Sequence, residues 1–288
     1  MTQTPRQSLA RLVWLVLLAL VVPCACVFLG PEGFGLPDLQ TPIGRALLTL
    51  RLHRIATGFV VGAALAVSGA VFQAVLRNPL ADPYVLGISG GGALGAAIAI
   101  LFGWYAIHPM LLPLNAFVGA GVTLIIVYAL AAYDGAPTIY GLILSGVIVS
   151  AMASSLLMLL LSLSSVEGLH SVTWWTLGNL QGSSPQLLAA CALCSCIGIA
   201  ASAGMARDLN ALALGAPMAH HLGVRPDRTA ALALAAATLA AAAAVALAGL
   251  IGFVGLIVPH AMRHWIGADH RRRGKRRRRE RHGRVVRR

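Results

Sequence analysis

Residues 55–76 form a stretch without a charged side chain, and this stretch limits what the chain can fold into. A helix needs about 20 apolar residues to cross the hydrocarbon core of a membrane, so the stretch predicts a transmembrane helix. Small residues recur in it at three- and four-residue steps, at Gly58, Gly62, Ala66 and Gly69. Such a strip lies along one helix face and predicts close packing against a neighbouring helix.

A polar connection follows this stretch, beginning with Arg77, Asn78 and Pro79. Proline lacks a backbone donor and disfavours helical conformation in the residue before it, so the helix is predicted to end here. Asp82 is then predicted to be the N-cap of the next helix, with Pro83 as its first residue. The sequence thus predicts two apolar helices joined by a short hinge.

The composition indicates a membrane protein with several spans. The chain of 288 residues is 58% hydrophobic and only 11% charged, and its mean hydropathy is +0.80. The net charge of +13 is concentrated at one end, because 12 of the 22 basic residues lie within residues 271–288. The rest of the chain is nearly neutral, so its charge does not indicate nucleic-acid binding.

The apolar stretches predict seven spans and one further short or broken helix. They cover residues 12–29, 55–76, 84–103, 111–133, 138–163, 187–206, 229–248 and 249–262. The first could also be a cleaved signal peptide, but it is long for one and no cleavage site of small residues stands out. We interpret it as a span whose N-terminus is held in the cytoplasm by Arg6 and Arg11. The seventh is mostly alanine, so we expect it to depend on neighbouring helices rather than on lipid.

The five cysteines fall into two clusters within apolar stretches, which argues against a disulfide framework. We predict that they are packing residues, and we predict no metal site and no cofactor. A phosphate-cradling loop is also missing from the sequence, because Gly274 and Lys275 lack the flanking residues of that motif. The chain is therefore not predicted to hydrolyse ATP, and no catalytic residue is proposed.

Two long motifs carry a family resemblance. Residues 62–91 read GAALAVSGAVFQAVLRNPLADPYVLGISGG, and residues 248–271 read AGLIGFVGLIVPHAMRHWIGADHR. They resemble the two signatures of the FecCD/BtuC-type permeases, the membrane-spanning subunits of ABC importers for iron-siderophore complexes, haem and cobalamin. The resemblance covers residues 9–271 and implies an all-α polytopic membrane protein, a BtuC-like permease bundle with about eight of the family's ten transmembrane helices.

The resemblance divides the chain into two parts. Residues 1–270 are expected to form the permease domain, incomplete at its C-terminal end, and residues 271–288 a polybasic, disordered tail. The tail could bind anionic lipid or nucleic acid, or it could be frame-shifted coding sequence. We favour a frameshift or truncation as the sequence-based interpretation.

The function implied by the resemblance is inward transport of a metal chelate, with an iron-siderophore complex as the first choice and haem or cobalamin as alternatives. Its expected partners are a second permease subunit, cytoplasmic ATPase subunits and a periplasmic or lipid-anchored binding protein, but no specific nucleic acid. The expected location is the bacterial inner membrane, with several passes and a cytoplasmic N-terminus.

A non-transporting remnant of such a permease is a further alternative. A secondary transporter is disfavoured, because ionisable groups between residues 55 and 206 stand only at span ends or in loops.

Two cations three residues apart precede the second span, Arg51 and Arg54. They could simply extend to the interface between membrane and water, although arginine is disfavoured on the external side. In the resembled family an R-x-P-R pair at this position meets acidic residues of the binding protein. This chain reads R-L-H-R, with His53 in place of the proline, and we expect the pair to dock that protein.

Two further groups of residues are assigned by the resemblance. One is residues 209–224, which read LNALALGAPMAHHLGV. This segment could be an amphipathic surface hairpin, but it resembles the family's ATPase-coupling segment. Pro217 is predicted to divide it into two short helices. The predicted coupling residues are Ala213, Leu214, Gly215, Ala219, Leu222 and Gly223. The predicted hinge and packing residues are Gln73, Asn78, Pro79, Asp82, Pro83, Gly87, Gly255, Pro259 and His260.

Two polar features leave alternatives open. The fifth span carries hydroxyls and a gap on one side, at Ser145, Gly146, Ser150, Ser154 and Ser155, which could form interhelical hydrogen bonds or line a translocation path. The external segment, residues 164–185, contains two adjacent tryptophans typical of an interfacial belt, and its His170 is either solvated or a haem ligand.

Overall fold

The computed structural model describes residues 5–30, 33–133, 135, 137–180 and 184–266, with side chains described from residue 13 to residue 263. The predicted tail at residues 271–288 lies outside the described residues. The helices are α1 Pro5–Phe28, α2 Pro42–Val75, α3 Ile88–Leu101, α4 Trp104–Ile107, α5 Leu111–Ala131, α6 Ile139–Ser162, α7 Val166–Thr176, α8 Pro185–Gly204, α9 Ala206–Leu212, α10 Ala216–His221, α11 Pro226–Ala248 and α12 Val254–Ile266. A 3₁₀ helix, Pro83–Leu86, precedes α3, and a two-stranded hairpin, β1 Leu29–Gly30 and β2 Gly33–Phe34, follows α1.

This architecture confirms the all-α polytopic fold predicted from the sequence. Five helices of the described chain, α2, α5, α6, α8 and α11, are long and apolar enough to cross a membrane. Two shorter apolar helices are also present. Residues Val13–Phe28 of α1 correspond to the first predicted span, and α3 corresponds to the third. The eighth predicted element is α12, which is 13 residues long and begins after a break at residues 249–253.

Helix α2 begins earlier than the predicted second span. Thr41 provides the start, because its hydroxyl oxygen accepts a hydrogen bond from the backbone N–H of Gly44 at 3.0 Å and Pro42 occupies the first turn. The helix consequently has 34 residues, and Arg51 and Arg54 stand within it rather than before it. Its end after Val75 agrees with the prediction from Pro79.

The third predicted span is interrupted, which the sequence analysis did not foresee. Asp82 is the predicted N-cap, but it caps the 3₁₀ helix, which ends at Gly87 with φ at +83°. A Cβ on Gly87 would lie 2.7 Å from Cγ2 of Thr123, so space and backbone conformation both require glycine there. Helix α3 begins only after this turn and has 14 residues instead of the predicted full span.

Helix α11 is the centre of the bundle and packs against α2, α5 and α8. In its most apolar stretch 72% of the residues are buried, against 44% or less in the other four long helices. Its alanines allow close approach: the hydroxyl of Ser68 donates to the carbonyl of Ala237 at 2.6 Å, and a Cβ on Gly198 would lie 2.5 Å from the carbonyl oxygen of Ala236. The prediction that this helix depends on its neighbours is confirmed.

Helices α3 and α5 also pack backbone against backbone. A Cβ on Gly91 would collide with the carbonyl oxygen of Gly119, and a Cβ on Gly119 would collide with that of Gly91. A Cβ on Gly95 would likewise meet the carbonyl oxygen of Asn115. These glycines hold the shortened helix α3 against a full-length span.

The contact between α3 and α5 yields a matched pair of substitutions on one helix. Gly119→Ala should destabilise the protein by about 1–3 kcal/mol, because the added methyl group forces the two backbones apart. Gly121→Ala is the control, since a Cβ there meets nothing within 4 Å among the described residues. It should be neutral or slightly stabilising, because alanine favours helix more than glycine does. Thermal unfolding in detergent, followed by size-exclusion chromatography, measures both variants; equal midpoints would contradict the described packing.

Candidate functional site

The two predicted motifs meet where their helices are interrupted. The first break, residues 76–87, lies between α2 and α3, and the second, residues 249–253, lies between α11 and α12. A Cβ on Gly69 would collide with the backbone of Gly255, and a Cβ on Gly255 would lie 2.7 Å from Cδ of Pro83. We call this contact of Gly69, Gln73 and residues 82–84 with residues 251–256 the break junction.

Polar groups hold the break junction together. The hydroxyl of Tyr84 donates to the carbonyl of Ile251 at 3.1 Å, and Nε2 of Gln73 donates to the carbonyl of Leu256 at 3.3 Å. The Gln73 side chain is only 2% exposed, and its Oε1 has no hydrogen-bond partner among the described residues. An unpaired buried oxygen is unfavourable by about 1–3 kcal/mol, so Oε1 of Gln73 is available to a further donor at the junction.

Asp82 stands in the connection between two spanning segments and shapes the first break. Its Oδ1 accepts a hydrogen bond from the N–H of Tyr84 at 2.9 Å, and its Oδ2 lies 3.3 Å from where a Cβ on Gly255 would stand. Burial raises the pKa of the Asp82 carboxyl, and the hydrogen bond from Tyr84 opposes this rise. The carboxyl group thus caps the 3₁₀ helix and faces the second break at the same time.

Other predicted hinge and packing residues lie around the junction rather than in it. Asn78 and Pro79 are exposed, and Oδ1 of Asn78 accepts from the N–H of Leu80 at 2.9 Å. Pro259 is buried within α12, whereas His260 is exposed. The small-residue strip of α2 packs only in part, because a Cβ on Gly62 meets nothing within 4 Å among the described residues.

The predicted coupling segment forms an elbow of two short helices, α9 and α10. Gly215 separates them with φ at +112°, as the sequence predicted from Gly215 and Pro217. Ala219 is fully buried, whereas Leu214 and Leu222 are 56% and 60% exposed, and Ala213 and Gly223 are exposed as well. The elbow thus presents apolar side chains on its outer surface.

Arg51 and Arg54 stand at the end of the molecule that bears the hairpin, and their environments differ. Nη1 of Arg51 donates to the carbonyls of Val27 at 2.9 Å and Gly35 at 2.8 Å, which ties α2 to the hairpin and its flanks. Arg54 is exposed. Sequence reasoning missed the bracing contacts of Arg51, because no pattern in the chain pairs an arginine with distant backbone carbonyls.

A cavity of about 460 Å³ lies beside α7. Its lining includes Tyr105, His170, Trp174, Trp175 and Asn179. The His170 ring stacks on Trp174 with centroids 6.0 Å apart and planes 12° apart. The haem-ligand hypothesis for His170 stays a prediction, and the described residues contain no group of three or more His, Cys, Asp or Glu side chains that could hold a metal ion.

Two hydroxyls of the fifth predicted span bond within their own helix. Ser150 donates to the carbonyl of Gly146 at 2.6 Å, and Ser155 donates to that of Ala151 at 2.9 Å. The interhelical interpretation is therefore wrong for these two donors. Gly146 instead provides close packing, because a Cβ on it would lie 2.6 Å from the carbonyl oxygen of Val85 in the 3₁₀ helix.

Comparison with known proteins gives a consistent set of similarities. A family model described as the FecCD transport family matches residues 17–273. The cobalamin import system permease protein BtuC of Halobacterium salinarum is 41% identical over 249 residues, which are 85% of this chain and 64% of that protein. The hemin transport system permease protein HmuU of Yersinia pestis is 38% identical, over 78% of this chain and 68% of that protein.

A solved structure agrees with these similarities. It is described as an inward-facing conformation of a metal-chelate type ABC transporter, and it matches with a TM-score of 0.81 and 30% identity. The match covers 93% of this chain and 83% of the other. This chain thus spans about 64% of the length of the halobacterial relative and a larger share of the solved structure.

The break junction yields a second matched pair of substitutions, now within α2. Gly69→Ala should push α2 away from Gly255 and loosen the second break, so amide hydrogen exchange at residues 251–255 should accelerate by roughly tenfold or more, equivalent to about 1.4 kcal/mol. Gly62→Ala adds the same methyl group at an open position of the same helix and should leave exchange there unchanged. Equal exchange in both variants would show that the two breaks do not rest on each other.

Proposed function

This chain belongs to the FecCD transport family, and we propose that it is the membrane-spanning subunit of an ABC importer that moves a metal chelate into the cell. The observation that carries the proposal is the family match over residues 17–273, which include both helix breaks and the elbow. The fold supports it, because the two breaks meet inside a bundle of apolar helices and offer a place where the helices can bend. Interrupted helices are tolerated within a membrane protein where neighbouring protein groups satisfy the freed backbone groups.

The proposed assembly pairs this chain with a second permease subunit, either a copy or a paralogue, and with two cytoplasmic ATPase subunits. The separate ATPase follows from the sequence, which lacks a phosphate-cradling loop. We propose that the elbow receives the ATPase subunit through its exposed Leu214, Met218 and Leu222. A periplasmic or lipid-anchored binding protein is proposed to dock at the opposite end.

We propose that the protein lies in the bacterial inner membrane with its N-terminus in the cytoplasm. The charges of the elbow end support this orientation. Arg77, Arg207, Arg225 and Arg228 are all exposed there, and arginine is enriched on the cytoplasmic side of membrane proteins.

The proposed cargo is a ferric chelate such as an iron-siderophore complex, with haem and cobalamin as the alternatives. Relatives named for each of these cargoes support metal chelates as the substrate class. They are named for Fe(3+) dicitrate in FecD of Escherichia coli, for hemin in the protein of Yersinia pestis and for cobalamin in the halobacterial protein. The 41% identity to the cobalamin permease favours cobalamin as the second candidate.

The proposed function is tested with the purified complex in lipid vesicles. The chain, its ATPase subunits and its binding protein are reconstituted, and uptake of radiolabelled ferric dicitrate, ferric siderophore, haemin and cobalamin is measured with and without ATP. ATP-dependent accumulation of one ferric chelate is expected. Accumulation of haemin or cobalamin instead would show that this compound, and not a ferric chelate, is the cargo. A chain that binds no ATPase subunit would contradict the proposed function.

The proposed docking surface includes Arg51 and Arg54 in different roles. Arg54 is exposed and supplies positive charge to an acidic partner, whereas Arg51 bonds two backbone carbonyls and fixes the shape of the surface. A lysine keeps the charge of either residue, but its side chain is shorter and lacks the fixed donor directions of the guanidinium, whose Nη1 bonds both carbonyls in Arg51.

Docking is measured as the affinity of the binding protein for the complex at several salt concentrations. Arg54→Glu should weaken binding by about tenfold or more and flatten its salt dependence, because it reverses a charge at the interface. Arg54→Lys should bind nearly normally, and Arg51→Lys should bind several-fold more weakly with an unchanged salt dependence. If Arg51→Lys and Arg54→Lys bind the binding protein with the same affinity, the separate bracing role of Arg51 is wrong.

A further inference from the structure

The first helix break touches the elbow through Arg77. This residue lies just beyond α2, and its Nη1 stands 3.3 Å from the position that a Cβ on Gly215 would occupy. Gly215 is buried and its φ is +112°, a conformation that residues with a side chain rarely adopt. A side chain at position 215 would crowd the end of the Arg77 guanidinium.

The backbone of Arg77 is itself unusual. Its φ is +49°, and Arg77 and Phe253 are the two non-glycine residues with positive φ in the described part of the chain. One stands in each helix break. Arg77 directly follows the C-cap of α2, a position at which many helices end in the left-handed conformation, although glycine is the usual residue there. The Arg77 side chain is exposed, so burial of that side chain does not account for its conformation.

Apolar contacts join the same two parts of the molecule. Val75 and Leu76 at the end of α2 belong to one buried cluster with Leu209 and Leu212 of α9. Helix α9 is thereby anchored to α2, whereas α10 begins beyond the conformationally free Gly215. Gly215 is therefore the joint between α9 and α10, and the guanidinium of Arg77 lies beside this joint.

The chain of contacts continues from Arg77 into the break junction. Arg77 is followed by the turn in which the N–H of Ala81 donates to the carbonyl of Asn78 at 3.1 Å. Pro83 then faces Gly255 of the second break. A displacement of the Arg77 backbone would thus reach the contact between the two interrupted helices within a few residues.

We propose that Arg77 is a positioning residue that transmits movement of the elbow to the first helix break, and so links ATP hydrolysis on the partner subunit to the break junction. The inference rests on the proposed function, because it requires an ATPase subunit at the elbow. When that subunit moves α10, Gly215 shifts beneath the guanidinium, and the backbone of Arg77 carries the shift into the hinge.

The test uses the complete complex with its ATPase subunits in lipid nanodiscs. Arg77→Ala, Arg77→Lys and Arg228→Ala are compared for co-purification of the ATPase subunit, basal ATP hydrolysis and stimulation of hydrolysis by the binding protein. Arg228 is an exposed arginine at the start of α11, so its removal controls for loss of one charge at the same end.

The Arg77→Ala complex should assemble and hydrolyse ATP at the basal rate. The stimulation of its ATP hydrolysis by the binding protein should fall by roughly fivefold or more, as expected for the loss of coupling between two sites. Arg77→Lys should recover part of the stimulation, because lysine keeps the charge and most of the reach. Arg228→Ala should match the unsubstituted complex. A merely structural role would lower assembly and basal hydrolysis together.

The possible outcomes are distinguishable. An unsubstituted chain that does not assemble with the ATPase subunit contradicts the proposed function itself. An assembled complex in which Arg77→Ala is stimulated normally overturns the role of Arg77, and so does an equal loss of stimulation in Arg228→Ala. If neither Arg77→Ala nor Arg77→Lys yields a complex, the role of Arg77 is structural and the proposal is overturned. If only Arg77→Ala fails to assemble, reduced stimulation of hydrolysis in Arg77→Lys with an unchanged basal rate supports the role, and normal stimulation overturns it.

Discussion

Backbone contact between two interrupted helices is the constraint on which the rest of this structure depends. At Gly69 and Gly255 the chain has no room for even one methyl group, and Pro83 stands against the same glycine. Uninterrupted helices would satisfy their own backbone groups, whereas a break leaves groups that must find other partners. Here Asp82 caps one break, and the hydroxyl of Tyr84 bonds a carbonyl of the other. The first break therefore supplies a donor that a carbonyl of the second break needs.

The bundle around this contact is built from small residues rather than from large apolar ones. The alanines of α11 and the glycines of α3 and α5 bring backbones together, which is how helices associate where lipid offers no hydrophobic driving force. The surfaces proposed to meet partner proteins lie at the two ends of the bundle. One end carries the braced Arg51 and the cavity beside α7, and the other carries the elbow with its exposed leucines.

Much of this organisation could be predicted from the sequence, because it follows from local chemistry. The end of α2 before Pro79, the cap at Asp82 and the division of the elbow at Gly215 each reflect the conformational limits of single residues. The interruption of the third span was missed, since the lack of room for a side chain at Gly87 is set by another helix, at Thr123. The bracing of Arg51 was missed for the same reason: its acceptors are carbonyls at Val27 and Gly35, and carbonyls carry no sequence signal.

In the proposed assembly the elbow end, and not the hairpin end, receives an ATPase subunit. Site-specific photo-crosslinking in the assembled complex distinguishes the two ends, with the photoreactive residue at exposed Leu214 of the elbow or at exposed Ile43 of the opposite end. We expect a crosslink to the ATPase subunit from position 214 and none from position 43. A crosslink to the ATPase subunit from position 43, with none from position 214, would contradict the assignment of the two ends and the mechanism built on it.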